Sequence, residues 1–167
     1  NIATAISTLR NIDEIKISEK DIKEGITKIQ SIARLQEIKS GKLKDLVKNN
    51  KIYVDGTHNP LGAKVLVEYL DKLNCNKHII LGMMANKEHI EFANFFKNNI
   101  YSITTIDIPN QKNSIKGNEL INKLKGFNNI QHKNSVQDAI KSINLEDNDI
   151  ILITGSLYLA GEVLNLN

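Results

Sequence analysis

Residues 51–60 read KIYVDGTHNP, and this stretch decides the fold because it joins a short apolar strand directly to a helix. Residues 52–54 are β-branched or aromatic, as strands favour, and Asp55 begins a turn at the following glycine. Asn59 is a residue type that caps helices, and Pro60 fits the first helical position. Because α/β proteins bind ligands where a strand ends and a helix begins, the junction predicts a ligand site.

The residues after this junction predict a helix over 60–73 with one buried face, because apolar residues recur close to the helical period. These residues are Leu61, Val65, Leu66, Tyr69, Leu70 and Leu73. Asp55, His58 and the free amides of the new helix are then displayed together. Such a group suits a ligand that carries hydroxyl, phosphate or carboxylate groups.

Strand and helix signals alternate from residue 51 onward. The predicted strands are 51–55, 78–82, 101–107, 129–132 and 149–154. The predicted helices are 60–73, 87–97, 115–125, 135–143 and 157–165. Alternation of this kind is typical of parallel strands joined by right-handed crossovers. The sequence therefore predicts an α/β fold, a Rossmann-like three-layer α/β/α domain with a mostly parallel sheet.

The first fifty residues carry weaker signals. Residues 1–11 predict a helix, and Ser18 caps a second helix that ends before Ser31. Residues 32–50 mix extended and turn signals and predict a strand or a loop. We expect residues 1–30 to be the helical end of a preceding domain with its linker, and residues 31–167 to be the α/β domain. Since the chain starts inside a helical pattern, we also expect it to be a piece of a longer protein.

Composition narrows the class of protein. The chain has 167 residues, of which 41% are hydrophobic, so it can build a core and is not a disordered protein. Its 22 Lys and Arg are spread among 19 acids without a basic stripe, which argues against nucleic acid as a partner. Cys75 is the single cysteine and cannot form an internal disulfide, as is typical of the cytoplasm. No apolar run approaches the roughly 18 residues of a membrane span, so we expect no membrane association.

Residues that follow the predicted strands should meet at one edge of the sheet. They include Asp55, His58, Lys87, Asp107 and Ser156. A histidine, a lysine and a serine from three junctions could together hold a small carboxylate.

Each of these residues also has a purely structural interpretation. Asn59 and Ser156 are common helix caps, and Lys87 could be one more solvated lysine. His58 could bond a turn carbonyl, and Asp55 could close an Asx-turn without any ligand.

Several patterns are missing from the sequence. It contains no G-x-x-x-x-G-K-[ST] loop, no G-x-G-x-x-G fingerprint and no G-x-S-x-G elbow. A self-contained NTPase, dinucleotide-dependent dehydrogenase or serine hydrolase of those types is therefore disfavoured. His78, His89 and His132 have no partners at metal-ligand spacing, so we expect them to be structural or surface residues and expect no metal ligands on this chain.

Five segments match the motifs of one protein family. They read NIATA (1–5), ARLQ (33–36), DGTHNP (55–60), GMMANKE (82–88) and TGSLYLAGEV (154–163). In order and spacing they resemble the motifs of folylpolyglutamate synthases and bifunctional dihydrofolate synthases, members of the Mur ligase superfamily. One departure is Thr57, which stands where that family has a smaller residue.

The resemblance implies the Mur ligase C-terminal domain of such an enzyme, separated from its N-terminal ATPase domain. In that family ATP, with Mg²⁺, phosphorylates the carboxylate of dihydropteroate or folate, and the amine of L-glutamate attacks the acyl phosphate. Mg²⁺ would be held mainly by the ATPase domain, so this chain alone is expected to be an inactive monomer without a catalytic residue. The resemblance places ATP contacts at Asn1, Arg34 and Asp55, and glutamate contacts at His58, Lys87 and Ser156.

Two alternatives remain open at this stage. The chain could belong to another Mur-type ligase, such as a peptidoglycan-precursor or cyanophycin-type enzyme, and His58 in its D-G-x-H-N-P context is the feature that discriminates. It could also be a stand-alone Rossmann-like binding module without a catalytic partner.

Overall fold

The computed structural model describes residues 2–12, 14 and 16–167. They divide into two units, one ending at Ile32 and one running from Ala33 to Asn167. The first unit contains α1 (Ile2–Arg10) and α2 (Glu19–Thr27), in agreement with the two predicted helices.

Ser18 caps helix α2, as its sequence predicts. The Ser18 hydroxyl accepts from the Asp21 amide, and the Asp21 carboxylate accepts from the Ser18 amide, so two of the free donors at the helix start are satisfied. Neither α1 nor α2 has a buried residue among those described.

The second unit is a six-stranded sheet with helices between the strands. Its strands are β1 (Gln36–Glu37), β2 (Lys51–Val54), β3 (Lys77–Leu81), β4 (Ser102–Ile106), β5 (Ile130–Lys133) and β6 (Ile150–Thr154). Its helices are α3 (Lys42–Val47), α4 (Pro60–Leu70), α5 (His89–Asn94), α6 (Gly117–Lys123), α7 (Val136–Lys141) and α8 (Leu157–Leu166). The strand order is β1-β2-β6-β3-β4-β5, and β1 pairs antiparallel with β2 while the other pairs are parallel.

Helices cover both faces of this sheet. Ile52 and Val54 of β2 pack with α3, α7 and α8, whereas Tyr53 between them packs with α4, α5 and α6. Side chains alternate between faces along a strand, so one short strand contributes to both cores. Every residue of β6 is buried, as expected of a central strand. The predicted three-layer α/β/α fold with a mostly parallel sheet is confirmed.

The prediction for residues 32–50 was incomplete. Besides the short strand β1, this stretch contains helix α3, which the mixed signals concealed. Leu43 and Val47 of α3 are buried against the sheet, four residues apart on one helical face.

The predicted buried face of α4 was wrong in part. Leu66 and Leu70 are buried, but Leu61 is 75% exposed and Val65 is 61% exposed. The face against the sheet is completed by the smaller Ala63 and by Val67. Helix α4 therefore carries two apolar stripes, of which the sheet covers one.

Candidate functional site

Three strand-to-helix junctions meet at the carboxyl edge of the sheet, because β2, β6 and β3 are parallel neighbours. The Gly155 amide donates to the Thr57 carbonyl over 3.0 Å, which ties the junction after β6 to the one after β2. The Gly82 amide donates to the Thr154 carbonyl over 3.2 Å, which ties in the junction after β3. The three motif-bearing loops are thus fixed to one another through backbone.

Gly155 sits where these junctions come closest. Its φ is +107°, and a Cβ atom built there would lie 2.6 Å from the Gly82 carbonyl oxygen. Both the conformation and the contact exclude other residues, so glycine is required for the junctions after β6 and β3 to approach.

Arg34 lies in a strained turn at this edge. Ala33 and Leu35 on either side of it adopt positive φ values of 53° and 46°, which cost non-glycine residues about 1–3 kcal/mol each. The turn is held by the Gln36 side chain, whose Oε1 accepts from the Ala33 amide over 2.9 Å, and by the Gly56 amide, which donates to the Ala33 carbonyl over 2.8 Å. The Arg34 side chain itself is exposed.

Asp55 supplies the third restraint on the Arg34 turn. Its Oδ2 accepts from the Leu35 amide over 2.6 Å, and its Oδ1 accepts from the Thr57 amide over 2.7 Å. The second bond is the predicted Asx-turn, and the first links the motifs at 33–36 and 55–60 into one structural piece. With 5% of its surface exposed, Asp55 offers a ligand only the remaining lone pairs of its carboxylate.

His58 and Asn59 complete the β2 junction as the structural interpretation predicts. The Asn59 Oδ1 accepts from the Gly62 amide over 2.8 Å and caps α4, with Pro60 at its first position. The His58 Nδ1 lies 3.2 Å from the Gly56 carbonyl oxygen. Because a carbonyl only accepts, this contact requires a proton on Nδ1, and in the neutral ring Nε2 would then be an acceptor.

Lys87 lies in the loop after β3, and His89 fixes that loop. The buried His89 ring donates from Nε2 to the Met84 carbonyl over 2.9 Å, and its Nδ1 lies 3.5 Å from the Lys123 Nζ. Burial is the main cause that lowers the pKa of His89 below its usual range, and the Lys123 ammonium acts in the same direction. A neutral His89 can therefore bond the loop on one side and accept from Lys123 on the other.

Ser156 is a helix cap and is almost fully buried, at 2% exposure. Its Oγ accepts from the Tyr158 amide over 3.1 Å at the start of α8. The hydroxyl still has its own proton to donate.

Asp107 follows β4 and also bonds backbone. Its carboxylate accepts from the Gly117 amide over 2.8 Å and from the Lys116 ammonium over 2.9 Å. Partial burial alone would raise the pKa of Asp107, but these two donors outweigh it and hold the pKa below its usual range.

The structure brings most of the predicted residues to one edge, whereas Asn1 lies outside the described residues. Sequence reasoning missed two positioning residues, Gln36 and His89. Gln36 was visible as the last letter of ARLQ, but His89 had no signal beyond its place two residues after Lys87.

Among the described residues, no three His, Cys, Asp or Glu are grouped so that they could hold a metal ion. Across residues 2–12, 14 and 16–167, no helix is both long and apolar enough to cross a bilayer.

The fold and this edge define a Rossmann-like domain that presents two cations, Arg34 and Lys87, on junctions locked by backbone hydrogen bonds. The chain belongs to the Mur ligase family, since the family model described as "Mur ligase, glutamate ligase domain" matches residues 33–157. In the comparison with curated proteins, no sequence matched.

Solved structures with this fold include folate enzymes. FolC of E. coli in complex with ADP superimposes with a TM-score of 0.75 at 22% identity, over 99% of this chain and 38% of that chain. Folylpolyglutamate synthase of Thermotoga maritima superimposes with a TM-score of 0.73 at 23% identity, over 98% of this chain and 37% of that chain. A third structure is a bifunctional folylpolyglutamate synthase/dihydrofolate synthase of Yersinia pestis, complexed with AMPPNP and a Mn ion. It superimposes with a TM-score of 0.76 at 17% identity, over 98% of this chain and 37% of that chain. The chain therefore spans less than two fifths of the length of these proteins.

Proposed function

We propose that this chain is the C-terminal domain of an ATP-dependent ligase that adds L-glutamate to dihydropteroate or folate through an acyl phosphate. The observation that carries the proposal is the Arg34 turn, in which two strained residues are held by Gln36, Asp55 and Gly56. Strain persists where the surrounding structure over-determines it, and it concentrates at functional sites. These restraints indicate that the position of the Arg34 guanidinium is important for function.

We assign Arg34 and Asp55 to the nucleotide. A guanidinium held at this edge can bind phosphate oxygens and stabilise charge on the transferred phosphoryl group. The free lone pairs of the Asp55 carboxylate can accept from ribose hydroxyls. Both groups act by positioning and electrostatics, which is how proteins assist phosphoryl transfer.

We assign Lys87, His58 and Ser156 to the amino acid. The Lys87 ammonium and the Ser156 hydroxyl can donate to a glutamate carboxylate, and the His58 Nε2 can accept from an N–H group of the ligand. Holding the carboxylate leaves the glutamate amine free to attack the acyl phosphate. The described residues contain no group of three His, Cys, Asp or Glu that could hold a metal ion, and the proposal places Mg²⁺ mainly on the ATPase domain.

An upstream ATPase domain is the proposed partner, and exposed apolar side chains support it. Leu157 and Tyr158 at the start of α8 are exposed, as are Leu61 and Val65 of α4. Leu157 lies on the β2 junction, since a Cβ built on Gly56 would be 2.2 Å from its Cδ2. A second domain that covered these residues would close over the candidate site and exclude water from it.

The test is steady-state kinetics of the longer protein that contains this chain, with ATP, glutamate and either dihydropteroate or tetrahydrofolate. We expect ADP release to depend on both the pterin and glutamate, and this chain alone to give none. Arg34→Ala should raise the KM for ATP at least 10-fold, and Lys87→Ala should raise the KM for glutamate more than that for ATP.

Lys141→Ala is the matched control for the Arg34 and Lys87 variants, because Lys141 is exposed in the last turn of α7 and lies on neither α4 nor α8. Turnover with a different amino acid in place of glutamate would favour another Mur-type ligase. Turnover by this chain alone, or equal losses for ATP and glutamate in Lys87→Ala, would contradict the proposed division of roles.

A further inference from the structure

A serine, a histidine and an aspartate form a hydrogen-bonded chain at the amino edge of the sheet, opposite the candidate site. The Ser102 Oγ lies 2.8 Å from the His78 Nδ1, and the His78 Nε2 lies 3.3 Å from the Asp149 Oδ2. The three residues sit at the amino ends of β4, β3 and β6, which are neighbours in the sheet. His78 and Asp149 are each 2% exposed, whereas Ser102 is partly exposed.

The direction of each hydrogen bond follows from the groups present. The Asp149 carboxylate can only accept, and it also accepts from the Asn76 amide over 3.2 Å and the Glu146 amide over 2.9 Å. When the His78 ring is neutral, this carboxylate therefore fixes its single proton on Nε2. Nδ1 is then an acceptor, and the Ser102 hydroxyl donates its proton to it.

A cavity of about 340 Å³ adjoins Ser102, His78 and Asp149. Ser102 and His78 line it together with Tyr101, Asn129 and Gln131. The Tyr101 ring meets the His78 ring edge-on at 5.3 Å and helps to hold it. The volume falls within the range of about 300–1,000 Å³ that is usual for small-molecule sites.

We propose that Ser102 is a nucleophile, with His78 as its base and Asp149 as the residue that orients the base. Nucleophile, base and orienting carboxylate within hydrogen-bond reach are the signature of such a group, whatever the fold or chain order. The substrate class is a small ester with an uncharged or cationic acyl group, because the carboxylates of Glu146 and Asp149 line the cavity and repel anions. This site is independent of the proposed ligase function.

The reaction proceeds in two steps. In the first, the Ser102 Oγ bonds to the ester carbonyl carbon, its proton moves to the His78 Nδ1, and the C–O bond to the alcohol breaks as His78 returns the proton to the leaving oxygen. In the second, water attacks the carbonyl carbon of the acyl-serine and gives one proton to the His78 Nδ1. The bond between that carbon and the Ser102 Oγ then breaks, the carboxylic acid leaves, and His78 returns the proton to the Ser102 Oγ.

The test is covalent labelling of this chain with a fluorophosphonate. Attack by the Ser102 Oγ forms an O–P bond and breaks the P–F bond, so intact mass should rise by one adduct and peptide mapping should place it on Ser102. Ser102→Ala should abolish labelling, and His78→Gln should slow it roughly 100-fold, as expected for loss of a general base. Ser142→Ala is the matched control, since Ser142 lines the same cavity but donates to the Ala139 carbonyl.

Circular dichroism of each variant separates loss of the nucleophile from loss of the fold. If His78→Gln does not fold, mapping of the wild-type adduct still decides, together with the labelling rate of Asp149→Asn. No adduct on wild-type Ser102, an adduct elsewhere, or an unchanged rate in folded His78→Gln would overturn the proposal and leave these residues as a tether between strands.

Discussion

Replacing Asp55 by alanine should destabilise the domain strongly, in addition to any effect on ligand binding. The carboxylate accepts from the Leu35 and Thr57 amides over 2.6 and 2.7 Å while almost fully buried. Hydrogen bonds to charged groups contribute about 1.5–3 kcal/mol each, and removing the acceptor leaves the two donors unsatisfied. Removal of a buried charge offsets part of this loss, so we expect about 3 kcal/mol.

Thermal unfolding by circular dichroism or calorimetry measures the effect. At roughly 4 °C per kcal/mol for a domain of this size, Asp55→Ala should lower the Tm by about 12 °C. Asp55→Asn should fall between wild type and Asp55→Ala, because its amide oxygen can still accept one of the two bonds.

Asp147→Ala is the control, since Asp147 is an exposed aspartate of the same unit and should move the Tm by less than about 2 °C. If Asp55→Ala unfolded within 2 °C of wild type, the two backbone bonds would contribute nothing. Asp55 would then be free to bind the ligand alone, and it could not be what holds the Arg34 turn.

Three further predictions concern the backbone of the site. Gly155→Ala should lower the free energy of unfolding, measured in urea, by well over 1 kcal/mol. Gly161→Ala in helix α8 should raise it by up to about 1 kcal/mol, because a Cβ there meets no atom within 4 Å. Similar effects of the two variants would contradict the close approach at Gly155. Gln36→Ala should speed amide hydrogen exchange at Ala33, and Gln36→Glu, which keeps the acceptor, should not; equal exchange would show that the side chain does not hold the turn. Folding lowers the pKa of His89, so the contribution of His89 to stability is complete above pH 6.5 and is lost as the pH falls below that value. A plot of Tm against pH should show this loss in the wild type. The loss should be smaller in His89→Gln.

The stretch 51–60 predicts its own structure because every local signal in it agrees. The β-branched strand residues, the Asx-turn at Asp55, the Asn59 cap and Pro60 at the first helical position all occur in the structure. Each of these depends on residues within four positions along the chain, which is the range that a sequence pattern can report.

Predictions that depend on distant contacts were less successful. Helix α3 (Lys42–Val47) is only six residues long and follows Gly41, whose φ is +96°. Helix propensity alone does not decide so short a segment, so the helix depends on the burial of Leu43 and Val47 against the sheet. On α4, period alone could not tell which of two apolar stripes faces the sheet, and Ala63 gave too weak a signal to identify the buried one.

The motif residues of the site differ in whether the structure gives them a role in folding. Asp55, Asn59 and Ser156 each accept a backbone amide, so a pattern built from them would arise from folding alone. Arg34 and Lys87 differ, because within the described part of the chain no salt bridge involves either cation. Under the proposed function, ligand recognition at this edge therefore rests mainly on these two positive charges, and the other motif residues hold them in place. Arg34 is exposed and Lys87 is partly exposed, and attraction between charges in contact with solvent weakens as ionic strength rises. The proposed assignment therefore predicts a salt-sensitive affinity for anionic ligands.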